Sequence, residues 1–260
     1  MTTEPAATAL AENRFRPGPF AGLSADDRPG DLNAAYDLQD ALHGLLATRL
    51  GSQVGHKVGC TSKAMQDYMN IPSPAAGGVF QSTVQESAVS QPWSDFNQVG
   101  VECEVAVTLS DDLSGGDTHS RESVAVAVAS VHAAIEIVDD RYADWRSLDL
   151  ETMVADDFFQ AGAVLGPAVT DWWDMDLAAV QGRTLVNGEE RGAGVGADIL
   201  GHPLEVLAWL ANHKAARGQS LKAGEIILLG SMVQVQWLAP GDKAVVEVSE
   251  LGTVSAEFTA

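Results

Sequence analysis

Three glutamates stand in apolar, β-branched surroundings, where a carboxylate is costly. Glu102 and Glu104 flank Cys103 within the run 99–107, and Glu136 lies in a second such run further along the chain. In an extended strand, alternation places Glu102 and Glu104 on one face, about 7 Å apart. Two like charges on a buried face repel each other unless a cation lies between them. The pattern predicts an all-oxygen site suited to Mg²⁺ or Mn²⁺, and its alternative is a strand whose polar face meets water.

The elements that must position these glutamates are mostly strands. Hydrophobic periodicity predicts strands at 54–58, 99–109, 135–139, 162–170, 183–187, 225–237 and 243–259. It predicts helices at 31–50, 62–69, 121–134 and 203–217. Two prolines and two glycines in 72–78 predict a loop there. We therefore expect a helical N-terminal segment at 1–50, with about the first 24 residues partly flexible, and a β-rich domain at 51–260.

Composition and charge exclude several classes of function. The 260 residues carry 15 Lys and Arg against 36 Asp and Glu, a net charge of −21. This charge argues against binding nucleic acid or an anionic membrane through a basic face. The sequence shows no signal peptide and no apolar run of the ~20 residues that span a membrane, and two cysteines indicate no disulfide framework. We expect a soluble cytoplasmic protein that acts on a small molecule.

A series of motifs in a fixed order gives the glutamates a family context. Residues 55–66 match the pattern GxKVGxTSxAMQ, and the Glu-x-Glu strand and the segment 136–145 follow. The later motifs are Ala155-Asp156, Gly201-His-Pro-Leu, 221–225, Gly230-Ser231 and Pro240-Gly241-Asp242. Over about residues 30–260 the chain resembles the 2-keto-4-pentenoate hydratase / 4-oxalocrotonate decarboxylase family of the fumarylacetoacetate-hydrolase-like superfamily.

The resemblance implies a fold, a metal site and an assembly. The fold is mixed α/β and β-rich, a twisted mixed β-roll with a small helical N-terminal part. A Mg²⁺ or Mn²⁺ ion is held by Glu102, Glu104 and Glu136, the same three residues that alternation selects. The family also implies a homo-oligomer, and an association with another enzyme of the same pathway is open.

The activity that the resemblance implies concerns 2-oxo acids. The leading expectation is a metal-dependent hydratase that adds water to a 2-hydroxy-2,4-dienoate (2-oxo-4-enoate) and gives a 4-hydroxy-2-oxo acid, in the catabolism of aromatic or related compounds. A metal-dependent decarboxylase of a 2-oxo diacid is the closest alternative, since both reactions use the same metal site. A C–C bond hydrolase or a non-catalytic partner subunit is less expected.

Lys57 is the first candidate for acid–base work or substrate binding. It lies in mid-strand beside Val58, between two glycines, where a lysine is unusual unless it is paired. We expect it to bind the substrate carboxylate or to transfer a proton. The alternative is an edge-strand lysine that points into water.

Other residues are expected near the metal. Asp156 is a candidate catalytic carboxylate, and Gln66 and Ser231 are candidate donors to the substrate. Residues 155–159 depart from the family pattern ADN-x-S. Phe159 stands where the pattern has a serine, and we expect it to contact the substrate. This departure predicts a rebuilt pocket around a retained metal site.

Asp139 and Arg141 lie close to Glu136 in the sequence. We expect this carboxylate and this guanidinium to pair with each other and to hold the metal ligands in their orientation.

Overall fold

The computed structural model describes residues 3–16, 18–115 and 118–260. The helices are α1 Thr3–Phe15, α2 Leu32–Leu50, α3 Lys63–Met69, α4 Arg121–Ala125, α5 Leu150–Ala155 and α6 Pro203–Ala216. The strands are β1 Gln53–Gly59, β2 Ala75–Phe80, β3 Val84–Glu86, β4 Val89–Pro92, β5 Val99–Leu109, β6 Val128–Asp139, β7 Gln160–Leu165, β8 Gln181–Val186, β9 Glu189–Val195, β10 Ile226–Trp237, β11 Lys243–Val248 and β12 Gly252–Thr259. In the described ranges no helix is long and apolar enough to cross a membrane.

The strands form two sheets that together carry the core. A seven-stranded sheet has the order β2-β1-β10-β5-β6-β7-β3, and a five-stranded sheet has the order β4-β12-β11-β8-β9. Both sheets mix parallel and antiparallel pairs, for example β1 with β10 parallel and β5 with β6 antiparallel. The predicted mixed α/β, sheet-rich architecture is confirmed.

Alternation along β5 divides the two faces of the large sheet. Val101, Cys103 and Val105 are buried in the main core, which lies against the second sheet, where β11 and β12 contact β6. The opposite face carries Glu102 and Glu104, as the sequence predicted. On that face small apolar side chains form a separate cluster: Val79, Ala106, Ala134, Ala163 and Leu228. The carboxylates therefore lie beside a second, smaller hydrophobic core.

The predicted helix at 121–134 is wrong. Only Arg121–Ala125 is helical, and β6 begins at Val128. Alanine favours a helix, but the valines that alternate with it favour a strand. Pairing with β5 over nearly its whole length decides the outcome in favour of the strand.

The predicted loop at 72–78 is also wrong in its second half, which begins β2. This strand is buried throughout and pairs with β1. Its glycines permit close approach rather than a turn. A Cβ atom on Gly78 would lie 2.6 Å from the His43 ring, and one on Gly77 would lie 3.1 Å from Asp157.

The N-terminal helices pack on the rest of the chain. The side chain of Asp31 accepts a hydrogen bond from the backbone N–H of Ala34 and caps α2. α1 packs on α2, and α2 packs on α5. Helix α2 ends at Leu50 and β1 begins at Gln53. The division of the chain at residue 50 and the partial flexibility of its start stay predictions.

Candidate metal centre and active site

Three glutamates from two neighbouring strands converge on one point. Glu102 of β5 is paired with Glu136 of β6, and Glu104 is two residues further along the same face. A carboxylate oxygen from each lies within 4.8 Å of the others. Glu104 and Glu136 are each 1% exposed, whereas Glu102 is partly exposed. The glutamate cluster is therefore reached from solvent on the side of Glu102.

The electrostatics of the glutamate cluster are unfavourable without a cation. Burial, then repulsion by Glu136, raises the pKa of Glu102 to about 7. Burial and both neighbouring carboxylates raise the pKa of Glu104 well above its usual range, and burial raises that of Glu136. A divalent cation between the three would restore their ionised form.

The hydrogen bonding of the Glu104 carboxylate shows whether the cluster fits such a cation. Glu104 Oε2 accepts a hydrogen bond from the backbone N–H of Gly230 at 2.5 Å. Its other oxygen, Oε1, is buried and has no hydrogen-bond partner in the part of the chain that the structure describes. A buried carboxylate oxygen left unpaired is costly. With an all-oxygen donor set, the cluster fits Mg²⁺ or Mn²⁺.

Lys57 lies directly beside the glutamate cluster. Its Nζ atom is 3.3 Å from Glu136 Oε1 and donates a hydrogen bond of 2.7 Å to the carbonyl of Phe158. β1 lies between β2 and β10, and Lys57 is 2% exposed. The alternative of an edge-strand lysine in water is therefore wrong. Its catalytic role stays a prediction.

Asp156 lies in a dense set of donors. Its Oδ1 accepts from Arg14 Nε at 2.8 Å, and its Oδ2 accepts from the Tyr142 hydroxyl at 2.8 Å and from Arg141 Nη2 at 3.1 Å. Burial lowers the pKa of Arg141, but Asp156 more than compensates and keeps it above its usual value. The structure thus gives Asp156 the contacts of a structural anchor, and the catalytic role predicted for it stays a prediction.

The predicted pair between Asp139 and Arg141 is wrong in its partner. Arg141 binds the carboxylate of Asp156 and three backbone carbonyls instead. Asp139 accepts hydrogen bonds from the backbone N–H groups of Asn97 and Gln98, just before β5. Asp139 therefore holds the start of the strand that carries two of the glutamates.

Asp157 extends this anchor to the N-terminal helices. Its Oδ1 accepts from Gly78 N at 2.8 Å and lies 2.7 Å from His43 Nε2, and its Oδ2 accepts from Arg14 at 3.0 Å. Burial would raise the pKa of Asp157, but His43, Arg14 and the Gly78 N–H hold it well below its usual range. We call Asp156 and Asp157 with their partners Arg14, His43 and Arg141 the aspartate clamp.

The clamp holds a strained turn. Asp157, Phe158 and Phe159 have φ angles of 57°, 50° and 70°, a left-handed conformation that costs a non-glycine residue about 1 kcal/mol or more. The turn directs the carbonyl of Phe158 at Lys57. Sequence reasoning missed Arg14 and His43, because no local pattern connects them with Asp157.

The predicted substrate contacts are placed as follows. Gln66 is buried, and its side-chain amide donates to the carbonyl of Cys60. The hydroxyl of Ser231 is bonded to the backbone of Cys103 and to the carbonyl of Val233. Phe159 is half-buried among aromatic rings. Their contacts with a substrate stay predictions.

Gly230, whose backbone N–H bonds to Glu104, lies at a position that only glycine can occupy. Its φ is 118°, and a Cβ atom there would lie 2.3 Å from the hydroxyl of Thr61. Glycine is therefore required where the backbone N–H reaches Glu104.

Comparison with known proteins defines the class. The family model "Fumarylacetoacetate (FAA) hydrolase C-terminal" matches residues 57–259. The chain belongs to this family, and the resemblance found in the sequence is confirmed.

Three relatives show where in the family the chain lies. It is 38% identical over 208 residues to a 2-hydroxyhexa-2,4-dienoate hydratase of Comamonas testosteroni, covering 79% of this chain and 78% of the relative. It is 32% identical over 224 residues to a 4-oxalocrotonate decarboxylase of Pseudomonas putida, covering 86% and 84%. The solved 4-oxalocrotonate decarboxylase from Pseudomonas putida G7, complexed with magnesium and adipate, has a TM-score of 0.92 at 28% identity, covering 98% and 97%.

Proposed function

We propose that this protein is a Mg²⁺- or Mn²⁺-dependent hydratase of a 2-hydroxy-2,4-dienoate, a carbon–oxygen lyase. The observation that carries the proposal is the glutamate cluster, in which three carboxylates converge and the buried Glu104 Oε1 has no hydrogen-bond partner among the residues that the structure describes. The hydratase from Comamonas testosteroni at 38% identity supports the reaction class. The magnesium in the decarboxylase structure and the Mn²⁺ in a fumarylpyruvate hydrolase of the same fold support the metal.

When bound, the metal ion supplies a Lewis acid that stabilises the negative charge developing on the 2-oxygen of the substrate. The dienol loses its hydroxyl proton and gains a proton at C5, which gives an α,β-unsaturated ketone. Water then adds its oxygen at C4 and a proton at C3, and the product is a 4-hydroxy-2-oxo acid.

Lys57 is the residue of this chain that we assign to the acid or base role. Its ammonium group lies 3.3 Å from Glu136 and is held by the Phe158 carbonyl. From there it can bind the substrate carboxylate or pass a proton to a reacting carbon. Gln66, Ser231 and Asp156 are proposed to shape or contact the same pocket from its edges.

A second candidate, decarboxylation of a 2-oxo diacid, is favoured by the solved decarboxylase, which matches almost the whole chain. It would use the same glutamates, since the electron pair left by departing CO₂ enters the same conjugated system. We propose a homo-oligomer in the cytoplasm for either activity. Two free, buried cysteines agree with a reducing compartment.

Turnover by the isolated protein tests the proposal. We expect the dienoate absorbance to decay with Mg²⁺ or Mn²⁺, to stay constant in EDTA, and to stay constant with Glu136→Ala. Glu257→Ala, an exposed strand glutamate, is the matched control and should retain activity. Identification of a 4-hydroxy-2-oxo acid without CO₂ supports the hydratase, release of CO₂ supports the second candidate, and full activity in EDTA would refute both.

A further inference from the structure

The ammonium group of Lys57 is held more closely by a backbone carbonyl than by the glutamate beside it. Its hydrogen bond to the Phe158 carbonyl is 2.7 Å long, whereas Nζ lies 3.3 Å from Glu136 Oε1. Glu136 Oε1 has no hydrogen-bond partner among the residues that the structure describes, so this second contact is ionic only. The Phe158 carbonyl therefore fixes where the ammonium group lies.

The choice of a neutral anchor matters once the glutamate cluster holds a divalent cation. The cation compensates the charge of the glutamates and repels a neighbouring ammonium group, which weakens the ion pair between Lys57 and Glu136. A backbone carbonyl carries no net charge and accepts the hydrogen bond of Lys57 in either state. The position of Lys57 beside a bound metal therefore depends on how firmly the Phe158 carbonyl is held.

Two guanidinium groups take up carbonyls of the chain before and after Phe158. Arg14 and Arg141 both donate to the carbonyl of Asp156, and Arg141 also donates to that of Phe159. The Phe158 carbonyl between them is directed at the ammonium group instead. The guanidinium groups thus fix the backbone of the turn on both sides of the one carbonyl that Lys57 uses.

The side chain of Asp157 fixes the same turn from α2 and β2. Its Oδ1 lies 2.7 Å from His43 Nε2 and accepts from the backbone N–H of Gly78 at 2.8 Å, and its Oδ2 accepts from Arg14 at 3.0 Å. A carboxylate only accepts, so His43 Nε2 carries the hydrogen of its bond. These donors hold Asp157 at a φ of 57°, which is unfavourable for a residue with a side chain.

Glycines leave the space in which the turn and the ammonium group meet. Gly77 is paired with Lys57 in the ladder between β1 and β2, and a Cβ atom there would lie 3.1 Å from the carbonyl oxygen of Asp157. A Cβ atom on Gly59, on the same face of β1 as Lys57, would lie 3.4 Å from Nζ. With this space open, the donors to Asp157 decide where the turn lies.

We propose that His43 and Arg14 are positioning residues for Lys57. They act through the turn of residues 157–159, which holds a backbone carbonyl where it keeps the ammonium group beside a metal-loaded glutamate cluster. Both belong to the N-terminal helices and precede the part of the chain that the family model matches. The effect on turnover rests on the proposed function, whereas the placement of Lys57 does not.

Crystal structures of the protein with and without Mn²⁺ test the placement without any turnover. In both we expect Lys57 Nζ to lie within about 3 Å of the Phe158 carbonyl oxygen. In Mn²⁺-loaded His43→Leu, which lacks the donor to Asp157, we expect this bond to break and Nζ to move by roughly 1 Å or more. An unchanged Lys57 in the variant, or a bond that Mn²⁺ breaks in the wild type, would overturn the proposal.

Kinetics of the dienoate reaction separate positioning from stability. His43→Leu should lower kcat/KM at least about tenfold, while the Mn²⁺ affinity measured by calorimetry changes less than about twofold. His43→Gln, whose amide can donate in place of the imidazole, should restore most of kcat/KM. Gln39→Leu is the matched control, because it removes another buried donor of α2, one turn earlier. It should destabilise the fold and change kcat/KM less than about twofold.

Equal losses of kcat/KM for His43→Leu and Gln39→Leu, or no recovery with His43→Gln, would contradict a positioning role. If His43→Leu does not fold, Arg14→Lys decides the same point, since an ammonium group keeps the charge but cannot span the three acceptors of Arg14. A loss below about threefold for Arg14→Lys would overturn the proposal. A wild type that does not convert the dienoate would refute the proposed function instead, and the crystal structures would still decide where Lys57 is held.

Discussion

Two groups of buried carboxylates meet at Lys57, and they are built in opposite ways. In the glutamate cluster, three carboxylates share one contact with a cation, and Glu104 Oε1 has no hydrogen-bond partner among the described residues. In the aspartate clamp, two carboxylates are surrounded by guanidinium, imidazole, phenol and backbone donors. The negative charge of the buried carboxylates is therefore largely uncompensated in the glutamate cluster and compensated by protein groups in the aspartate clamp.

This difference separates a ligand site from a structural anchor. A buried negative charge persists only if something compensates it. In the clamp the chain supplies the compensation, so the pKa of Asp157 lies below its usual range. In the glutamate cluster the pKa of Glu102 is raised to about 7, and the missing charge must come from outside the chain. Local charge imbalance, rather than the number of acidic groups, therefore indicates where a cation binds.

The largest expected effect is on the clamp. Arg141→Met should lower the free energy of unfolding by about 3–5 kcal/mol, because it leaves Asp156 as a poorly compensated buried carboxylate. Urea unfolding monitored by tryptophan fluorescence measures this. Arg183→Met, which breaks an exposed pair with Glu247, is the control and should cost about 0–1 kcal/mol. A similarly small loss for Arg141→Met would remove the distinction between the two regions.

A neutral substitution in the glutamate cluster should have the reverse profile. Glu104→Gln should lower the hydratase rate at least about 100-fold, roughly 3 kcal/mol in the barrier, because it removes a charged metal ligand. In EDTA the free energy of unfolding should stay unchanged or increase, since repulsion with Glu136 is relieved. Dienoate absorbance and urea unfolding give the two values. A loss of stability in EDTA comparable to that of Arg141→Met would mean that the cluster is balanced internally.

The smallest expected effect is a dependence of stability on pH. The pKa of a glutamate in the unfolded chain is near 4.5, whereas burial and the neighbouring Glu136 raise the pKa of Glu102 to about 7 in the folded protein. Between these pH values the folded chain binds more protons, so the free energy of unfolding should fall as the pH rises, by roughly 2–3 kcal/mol. Asp157, whose pKa is lowered, adds stability that is lost only below its unfolded value near 3.8, outside this window.

Urea unfolding in EDTA at pH 5, 6 and 7 checks this dependence, with Glu102→Gln as the reference for all other titrating groups. The difference in the free energy of unfolding between wild type and Glu102→Gln gives the contribution of Glu102 at each pH. Saturating Mg²⁺ should reverse the slope, because protons then compete with the metal. A difference that is flat, or that grows with pH in EDTA, would contradict the raised pKa of Glu102.

Part of the site was predictable because strand alternation is a local property. The pleat alone places Glu102 and Glu104 on one face and Cys103 in the core, and the structure agrees. Lys57 was predictable because a lysine flanked by glycines in a buried strand needs a partner. The helix predicted at 121–134 failed for the converse reason: pairing with β5 is not local and outweighed the propensity of the alanines.

The sequence by itself thus determined which side chains share a face, the acidic character of the site and the class of metal that suits it. Only the tertiary structure decided how charge is compensated. Arg14 reaches Asp156 across 142 positions of the chain, and His43 reaches Asp157 across 114. Periodicity reports the direction of a side chain relative to its own strand or helix. The partner that it meets depends on how distant elements pack. That packing pairs the aspartates with protein cations and leaves the charge of the glutamates to be compensated by a metal ion.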